Sequence, residues 1–325
     1  MTNEPDERGA EPDRGREAAR PGDIPASGWK DVFSRVKQRA SADDLPLTAA
    51  GAAFYALLAT FPGLLAALRV HELLFDPEQQ SQQLAFLQDE LQPQAIDLFV
   101  ALLRGLAASD RSHMGLGVAG GALVTLWGAS LGVRALMNAL NVAYDEQETR
   151  SAVRRYALAL LLTTGAIAVV FCMGLVVIGP FALSRWLDLG PPVHRVALLA
   201  RWPAVALMFW LSLLVLYRYG PSRTHARWSW VSWGELIATA LWLSASGILA
   251  WYVANSPRFH QAFGSVGLIV LALIWFLVSA FSVLLGAEIN AELERQTRRD
   301  TTVGAERAAG QRGARAADDL GASAS

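Results

Sequence analysis

The stretch of sequence that decides the fold runs from Ser265 to Glu294 and reads SVGLIVLALIWFLVSAFSVLLGAEINAELE. It contains no charged residue before Glu288. A helix of about 20 residues, rising about 1.5 Å per residue, crosses the roughly 30 Å hydrocarbon core of a bilayer. We therefore predict that this stretch spans a membrane and that its last turns form a polar, acidic end.

The middle of the chain repeats this apolar pattern. Hydrophobic residues make up 53% of the sequence and charged residues 18%, with a mean hydropathy of +0.29. Soluble domains carry about 25% charged residues. We predict an all-α, polytopic membrane helix bundle with six transmembrane helices. The predicted spans are approximately Leu45–Phe75, Gly115–Tyr144, Tyr156–Leu183, Val196–Tyr219, Val231–Ala254 and Ser265–Ile289.

The segments outside the spans are polar. Residues 1–27 and 296–325 are poor in large apolar side chains, which predicts disordered cytoplasmic tails on both sides of a membrane domain at 28–295. The connection from Asp76 to His113 carries a helical apolar stripe in its second half. It predicts short extracytoplasmic helices between spans one and two.

An amphipathic helix is predicted just before span one. Trp29, Val32, Phe33 and Val36 fall on one helical face, with basic side chains off that stripe. This pattern favours an interfacial helix resting on anionic headgroups. The alternative is a cytosolic helix packed on the protein's own loops.

The distribution of basic residues orients the bundle. One side, which includes both ends of the chain, carries the denser set: Lys30, Arg35, Lys37, Arg39, Arg150, Arg154, Arg155, Arg218, Arg223, Arg227, Arg295, Arg298 and Arg299. The other side holds a thinner set: Arg69, Arg104, Arg111, Arg185, Arg195, Arg201 and Arg258. The positive-inside rule therefore predicts that both termini are cytoplasmic.

Proline and glycine suggest how the helices bend and pack. Pro62 removes one helical hydrogen bond and predicts a kink in span one. Span two carries two GxxxG motifs, Gly117–Gly121 and Gly128–Gly132. Such motifs allow close helix packing, either inside one chain or across a dimer face, so a homo-oligomer stays open.

A set of polar residues lies at the predicted cytoplasmic ends of spans two, five and six. A charge in apolar surroundings costs several kcal/mol unless it is paired or reaches water. We therefore expect contacts within the set, foremost between Arg134 and Glu288. The set would act either as a latch that fixes helix register or as a gate or ion-coupling site. Its members are Arg134, Asn138, Asn141, Glu235, Glu288 and Asn290.

No motif for catalysis, cofactor binding or metal binding occurs in the sequence. The five histidines lie at span ends or in loops without HExxH spacing, and there is no phosphate-binding GxxxxGK[ST] loop. Cys172 is the single cysteine, so it has no disulfide partner within the chain. The net charge of -1 gives no basic excess for nucleic acid. We predict a non-enzymatic protein without a cofactor, whose partners are membrane lipids.

Three stretches together resemble a known family. They are TAAGAAFYALLATFP (48–62), LWGASLGVRALMNALN (126–141) followed by Ala143-Tyr144, and FGSVG (263–267) running on to LGAEINAELE (285–294). They are similar to the YihY/BrkB family of bacterial inner-membrane proteins over about 29–295. The resemblance implies six spans in the inner membrane and an unsettled molecular activity, with some members linked to virulence or serum resistance.

The same family has carried the label ribonuclease BN, which the residues do not support. A metal-dependent nuclease needs clustered Asp, Glu or His ligands on a surface that water reaches. Two hypotheses remain from the sequence. The first is a transporter or exporter of a small or amphiphilic solute that the sequence does not identify. The second is a non-transporting membrane scaffold that organises lipids or partner proteins.

Overall fold

The computed structural model describes residues 14–74, 116–186, 191–230, 233–255 and 267–323. Within these ranges it defines the side chains except at 61–74, 116–125, 178–186, 191–194 and 268. Apart from an isolated β-bridge between Ala226 and Thr302, the regular structure in them is helical. The all-α prediction is thus confirmed for these ranges. The helices are α1 Ala26–Ala42, α2 Leu45–Leu74, α3 Leu116–Ala143, α4 Ala152–Trp186, α5 Pro191–Tyr219, α6 Trp233–Asn255, α7 Gly267–Glu294 and α8 Arg315–Asp318.

The long helices α2 to α7 pack in chain order. Each contacts the next, and α7 closes the bundle by packing on α2 and α3 as well as on α6. The short helix α1 and the segment after α7 lie against the C-terminal end of α7. We call this end of the molecule the tail end. Helix α7 is therefore the element that contacts most of the others.

Four of these helices are long and apolar enough to cross a membrane. The qualifying segments are Ala152–Val177, Arg195–Tyr219, Trp233–Asn255 and Ile269–Glu294. Large apolar side chains face outward on them: Leu161 is 69% exposed. Such a surface is unfavourable in water and suits lipid. Predicted spans one and two correspond to α2 and α3, whose side chains are only partly among those described.

Two aspartates end helices in the left-handed backbone region. Asp44, between α1 and α2, has φ of 44°, and Asp145, after α3, has φ of 56°. Aspartate tolerates this region better than most residues. The backbone N–H groups of Asp145 and Glu146 donate to carbonyls of the last turn of α3. These turns direct the chain from one helix into the next at the tail end.

Helix α1 packs on the protein itself. Val32 and Val36 of the predicted apolar stripe are buried together with Ile289 and Leu293 of α7. The partner is a long helix and not the loops that the second alternative named, and Phe33 stays 51% exposed. The stripe was recognisable from its helical spacing. Its partner was not, because a stripe of that kind fits a protein surface and a lipid surface equally well.

The described parts of the two predicted tails contact each other, and the disorder of the tails stays a prediction. The Thr297 hydroxyl donates to the Ala18 carbonyl at 2.8 Å, and the Arg298 N–H donates to the Arg16 carbonyl at 2.9 Å. Residues 296–302 are largely buried. The composition supplies little apolar surface, and polar side chains and backbone groups hold the segment instead. The predicted helices within Asp76–His113 lie outside the described residues.

Candidate functional site: the buried tail end of the bundle

The last turns of α7 carry a row of buried polar side chains. Glu288, Asn290, Glu292 and Glu294 are each at most 1% exposed. Glu288 and Glu292 share one face of the helix and Asn290 and Glu294 share nearly the opposite one, because successive residues rotate about 100°. Each makes its contacts with different residues. We call these four residues the α7 polar row.

Glu294 forms a two-pronged ion pair with Arg223, from the loop after α5. The two N–O distances are 3.0 and 2.6 Å, and the Thr301 hydroxyl also donates to Glu294 at 2.7 Å. The Arg223 guanidinium lies 5.0 Å from the centre of the Tyr144 ring. The paired carboxylate raises the pKa of Arg223 against the opposing effect of burial.

Glu292 joins α1 to α7. Arg35 of α1 donates its Nε to a carboxylate oxygen of Glu292 at 2.5 Å and an Nη to the Glu292 carbonyl at 3.0 Å. Arg35 also donates to the side chain of Gln296 at 2.7 Å. Arg295 supplies a second cation to the same carboxylate. A buried carboxylate that is shared by two guanidinium groups fixes α1 on the end of α7.

Asn290 joins α6 to α7 where their backbones come closest. Its side-chain oxygen accepts from the Gly234 N–H at 2.9 Å, and its side-chain amide donates to Glu235 at 3.1 Å. A Cβ at Gly234 or at Gly286 would overlap the opposite helix. Glycine at both positions therefore permits the approach, and the asparagine satisfies the polar groups that it buries.

Two carboxylates at this end keep unpartnered oxygens. Glu288 is fully buried, and neither of its carboxylate oxygens has a hydrogen-bond partner. One oxygen of Glu235 is in the same condition. Ion pairs with Arg35 and Arg223 neutralise Glu292 and Glu294, whereas Glu288 has no such pair among the described residues. These oxygens are able to accept a proton or to engage a cation.

The expected pair between Arg134 and Glu288 does not form, and this prediction is wrong. The Arg134 guanidinium lies 4.8 Å from the ring centre of Trp127 and 4.9 Å from that of Tyr156, in cation–π contact. Equal depth along the membrane normal did not imply the same side of the bundle. Aromatic faces on α3 and α4 take the place of the carboxylate.

The two asparagines of α3 are also directed away from α7. Asn138 accepts from Arg155 of α4 at 2.7 Å. Asn141 accepts from the Ser222 N–H at 2.8 Å and donates to Glu148 at 3.3 Å. The predicted six-residue set is therefore divided. Glu235 and Asn290 contact each other, and Asn138 and Asn141 hold the loops around α4 and α5.

The glycines of α3 are only partly described. A Cβ at Gly132 would lie 3.2 Å from the Ala56 Cα, so this glycine faces α2 closely. Gly128 is partly buried, whereas the surroundings of Gly117 and Gly121 lie outside the described side chains, as does the Pro62 ring. The predicted kink at Pro62 stays a prediction.

The sequence interpretation missed residues that complete this end. Arg35 and Arg223 neutralise the α7 polar row, and Gly234 and Gly286 set the spacing between α6 and α7. The sequence interpretation used the basic residues only to predict the membrane orientation. No spacing rule links a basic residue to a carboxylate far along the sequence. Glycine within the GAEINA motif was the one local signal for a close approach.

Helices α6 and α7 separate towards the end opposite the tail end. Between them two indole N–H groups donate to serine hydroxyls, Trp242 to Ser279 and Trp275 to Ser246, each at 3.1 Å. Beyond this pair a cavity of about 500 Å³ opens between the helices. Its lining is almost wholly apolar: Ser246, Leu249, Ala250, Val253, Ala254, Leu271, Ala272 and Trp275.

Metal coordination finds no support in the part of the chain that the structure describes. No group of three or more His, Cys, Asp or Glu side chains is arranged there to hold an ion. Glu288 and Glu235 are thus single carboxylates, each on its own helix.

These features define a multi-pass helical membrane protein with a tightly bonded polar end. The chain belongs to a known family of such proteins: the family model described as Virulence factor BrkB matches residues 36–311. The match confirms the resemblance drawn from 48–62, 126–141 and 263–294. The α7 polar row lies within the matched range.

Individual relatives agree with this membership. The ribonuclease-like protein YfkH of Bacillus subtilis is 29% identical over 183 residues, which cover 54% of this chain and 65% of that protein. A UPF0761 membrane protein of Verminephrobacter eiseniae is 27% identical over 287 residues, covering 84% and 64%. One of Aeromonas salmonicida is 24% identical over 267 residues, covering 80% and 86%.

The chain spans less than two thirds of the length of the first two of these relatives. No solved structure matches it.

Proposed function

We propose that this protein is a six-span inner-membrane protein with cytoplasmic termini that moves a small or amphiphilic solute. The observation that carries the proposal is the form of the α6–α7 pair. The two helices are joined at Gly234 and Asn290 and leave an open apolar cavity between them towards the other end. A cavity open at one end and closed at the other is the arrangement that an alternating pathway needs in one of its states.

The closed end supports a role for the buried carboxylates in this movement. Ionisable groups inside membrane proteins commonly mark ion or proton pathways. Glu235 keeps an unpartnered oxygen at the α6–α7 contact, which must separate for the pathway to open, and Glu288 keeps two on the other face of α7, near Asp43 and Arg39. In this proposal Glu235, Glu288 and Asn290 form the gate, which is the second of the two roles considered for the predicted six-residue set.

The scaffold alternative rests on a different observation. Arg35, Arg223 and Arg295 neutralise two members of the α7 polar row through close ion pairs, which favours a fixed latch. A scaffold would need no opening at this end. It would use the exposed apolar helices to organise lipids or partner proteins.

The discriminating experiment is flux in proteoliposomes. The probe is a nitrobenzoxadiazole-labelled lysophospholipid, and its transfer between leaflets is followed by dithionite quenching. Ala250→Phe fills the cavity, so it should reduce the rate at least tenfold. Ile248→Phe is the matched control, since Ile248 is 67% exposed and does not line the cavity. Equal rates with empty liposomes, or equal loss in both variants, would favour the scaffold.

We also propose that the protein is not an enzyme and does not bind nucleic acid. The name ribonuclease-like belongs to the B. subtilis relative, and virulence factor belongs to the family description. The proposal rests on the absence from the sequence of a motif for metal-dependent hydrolysis. Cleavage of tRNA by the purified protein above the level of a mock preparation would contradict it.

A reporter fused after Arg299 tests the proposed cytoplasmic position of the C-terminal end.

A further inference from the structure

A second cleft, of about 650 Å³, lies at the tail end between the start of α4, the end of α5 and the loop that follows α5. Four basic side chains line it: Arg150, Arg154, Arg223 and His225. It shares no lining residue with the α6–α7 cavity. Its chemistry is therefore considered separately from the solute pathway.

Only part of the positive charge in the cleft is neutralised. Glu148 pairs with Arg150 through both carboxylate oxygens, each at 2.7 Å, and Glu294 pairs with Arg223. Arg154 is exposed, and no acidic side chain in the described part of the chain pairs with its guanidinium. The cleft thus presents one guanidinium that is ready for an external anion.

The pKa of His225 is affected by the same excess of positive charge. Burial lowers its pKa, and the charges of Arg218, Arg223 and Arg154 lower it further. Its Nδ1 is buried without a hydrogen-bond partner. A bound anion would oppose the field of the arginines at this ring.

One wall of the cleft is apolar. Leu158 and Leu161 follow Arg154 along α4, and Leu161 lies about 10 Å further along the helix at about 1.5 Å per residue. Leu161 is 69% exposed. Because α4 is one of the apolar spanning helices, this wall extends from the interface towards the hydrocarbon core. A cationic end followed by an apolar wall matches a molecule with an anionic head and an acyl tail.

We propose that this cleft binds an anionic phospholipid, with its phosphate on Arg154 and its acyl chain along Leu158 and Leu161. The charge of the site favours an anionic headgroup over a zwitterionic one. Both carry a phosphate for Arg154, but the excess positive charge of the cleft disfavours the ammonium group of a zwitterionic headgroup. The inference does not rest on solute transport. A scaffold would use the same site.

The test is lipid binding by the purified full chain in detergent, measured by native mass spectrometry. Phosphatidylglycerol and phosphatidylcholine are the two probes, and Arg154→Gln is the variant. Since one interfacial arginine contributes about 1 kcal/mol, phosphatidylglycerol should bind the variant about fivefold more weakly. Arg20→Gln is the matched control, because Arg20 is an exposed arginine that does not line the cleft. It should leave binding unchanged.

Three results would overturn the proposal. The first is equal affinity for the two lipids. The second is an equal loss in the Arg154 and Arg20 variants, which would indicate a general effect of net charge. The third is saturation of the site by inorganic phosphate at concentrations that displace the lipid, which would identify a free anion as the ligand. Both variants should keep the wild-type melting temperature without lipid, since neither side chain is buried.

Discussion

At the scale of single residues, Gly234 occupies a position with no room for a larger side chain. A Cβ at this position would overlap the Gly286 carbonyl and the Asn290 side chain across the α6–α7 contact. We expect Gly234→Ala to destabilise the protein by about 1–3 kcal/mol, the usual cost of overpacking, and to lower its melting temperature in detergent. Gly247→Ala is the matched control on the same helix, where nothing lies within 4 Å of the added atom.

Gly247→Ala should leave the melting temperature unchanged or raise it slightly, because alanine is the better helix former. A Gly234 variant as stable as the Gly247 variant would show that α6 and α7 do not approach closely at this position.

Glu148 should make stability depend on pH in the acid range. Hydrogen bonds from Arg150 lower the pKa of Glu148 from its ordinary value of 4.5 to about 2. A carboxyl group whose pKa is lowered by folding stabilises the protein above its unfolded pKa. That contribution is lost as the pH falls from about 4.5 to about 2. The melting temperature of Glu148→Gln should therefore be lower at neutral pH and should fall less on acidification.

Glu306→Gln, at an exposed position, is the reference for this measurement. Parallel pH profiles of wild-type protein and the Glu148 variant would mean that the Arg150 hydrogen bonds do not stabilise the folded state.

Residue contacts were the least predictable part of the molecule. The sequence places Glu235 and Asn290 at similar depth, and they are in contact. It places Arg134 and Glu288 at similar depth too, yet Arg134 lies on aromatic rings. Depth along a helix follows from spacing. The neighbour that a side chain faces depends on how its helix is rotated about its own axis. In six mostly apolar helices, no regular polar stripe indicates this rotation.

At the scale of elements, the buried ion pair between Arg35 and Glu292 helps to hold α1 on α7. Removing Arg35 would leave the Glu292 carboxylate with fewer cations in a buried site, and breaking a buried pair costs about 3–5 kcal/mol. We expect Arg35→Met to release α1 from α7 and to expose it to limited proteolysis. Lys37→Met is the matched control, since Lys37 is an exposed basic residue on the same helix.

Proteolysis at identical rates in the two variants would count against the attachment of α1 through Glu292.

Helix boundaries, unlike residue contacts, were largely predictable from the sequence. The predicted end of span five at Ala254 and the observed end of α6 at Asn255 nearly coincide, because apolar runs have clear limits. Helix α7 continues to Glu294, beyond the predicted Ile289, because its polar row finds partners from other elements.

At the scale of the whole molecule, Cys172 tests whether the outer surface meets lipid. It is exposed in the middle of α4, within a segment long and apolar enough to span a membrane. In membranes it should resist a charged maleimide, because a charged reagent does not enter hydrocarbon, and it should react after denaturation. Ser151→Cys in a Cys172→Ser background, just before α4, should react in both conditions.

Rapid labelling of Cys172 in intact membranes would place this part of α4 in water and would contradict the contact of the outer surface with lipid.

The membrane character itself was predictable from the sequence, because it depends only on the summed apolar content. The packed tails were not. Residues 296–323 carry no apolar period, and their order comes from hydrogen bonds such as that between Thr297 and Ala18.

The junction of the two tails has a consequence for biosynthesis. The segment around Arg16, made before α2, is bonded to the segment around Thr297, made after α7. Arg35 pairs with Glu292, which is also made late. During translation α1 therefore lacks its contacts with α7 until α7 has emerged from the ribosome. A chain that stalls earlier presents a basic helix without these contacts.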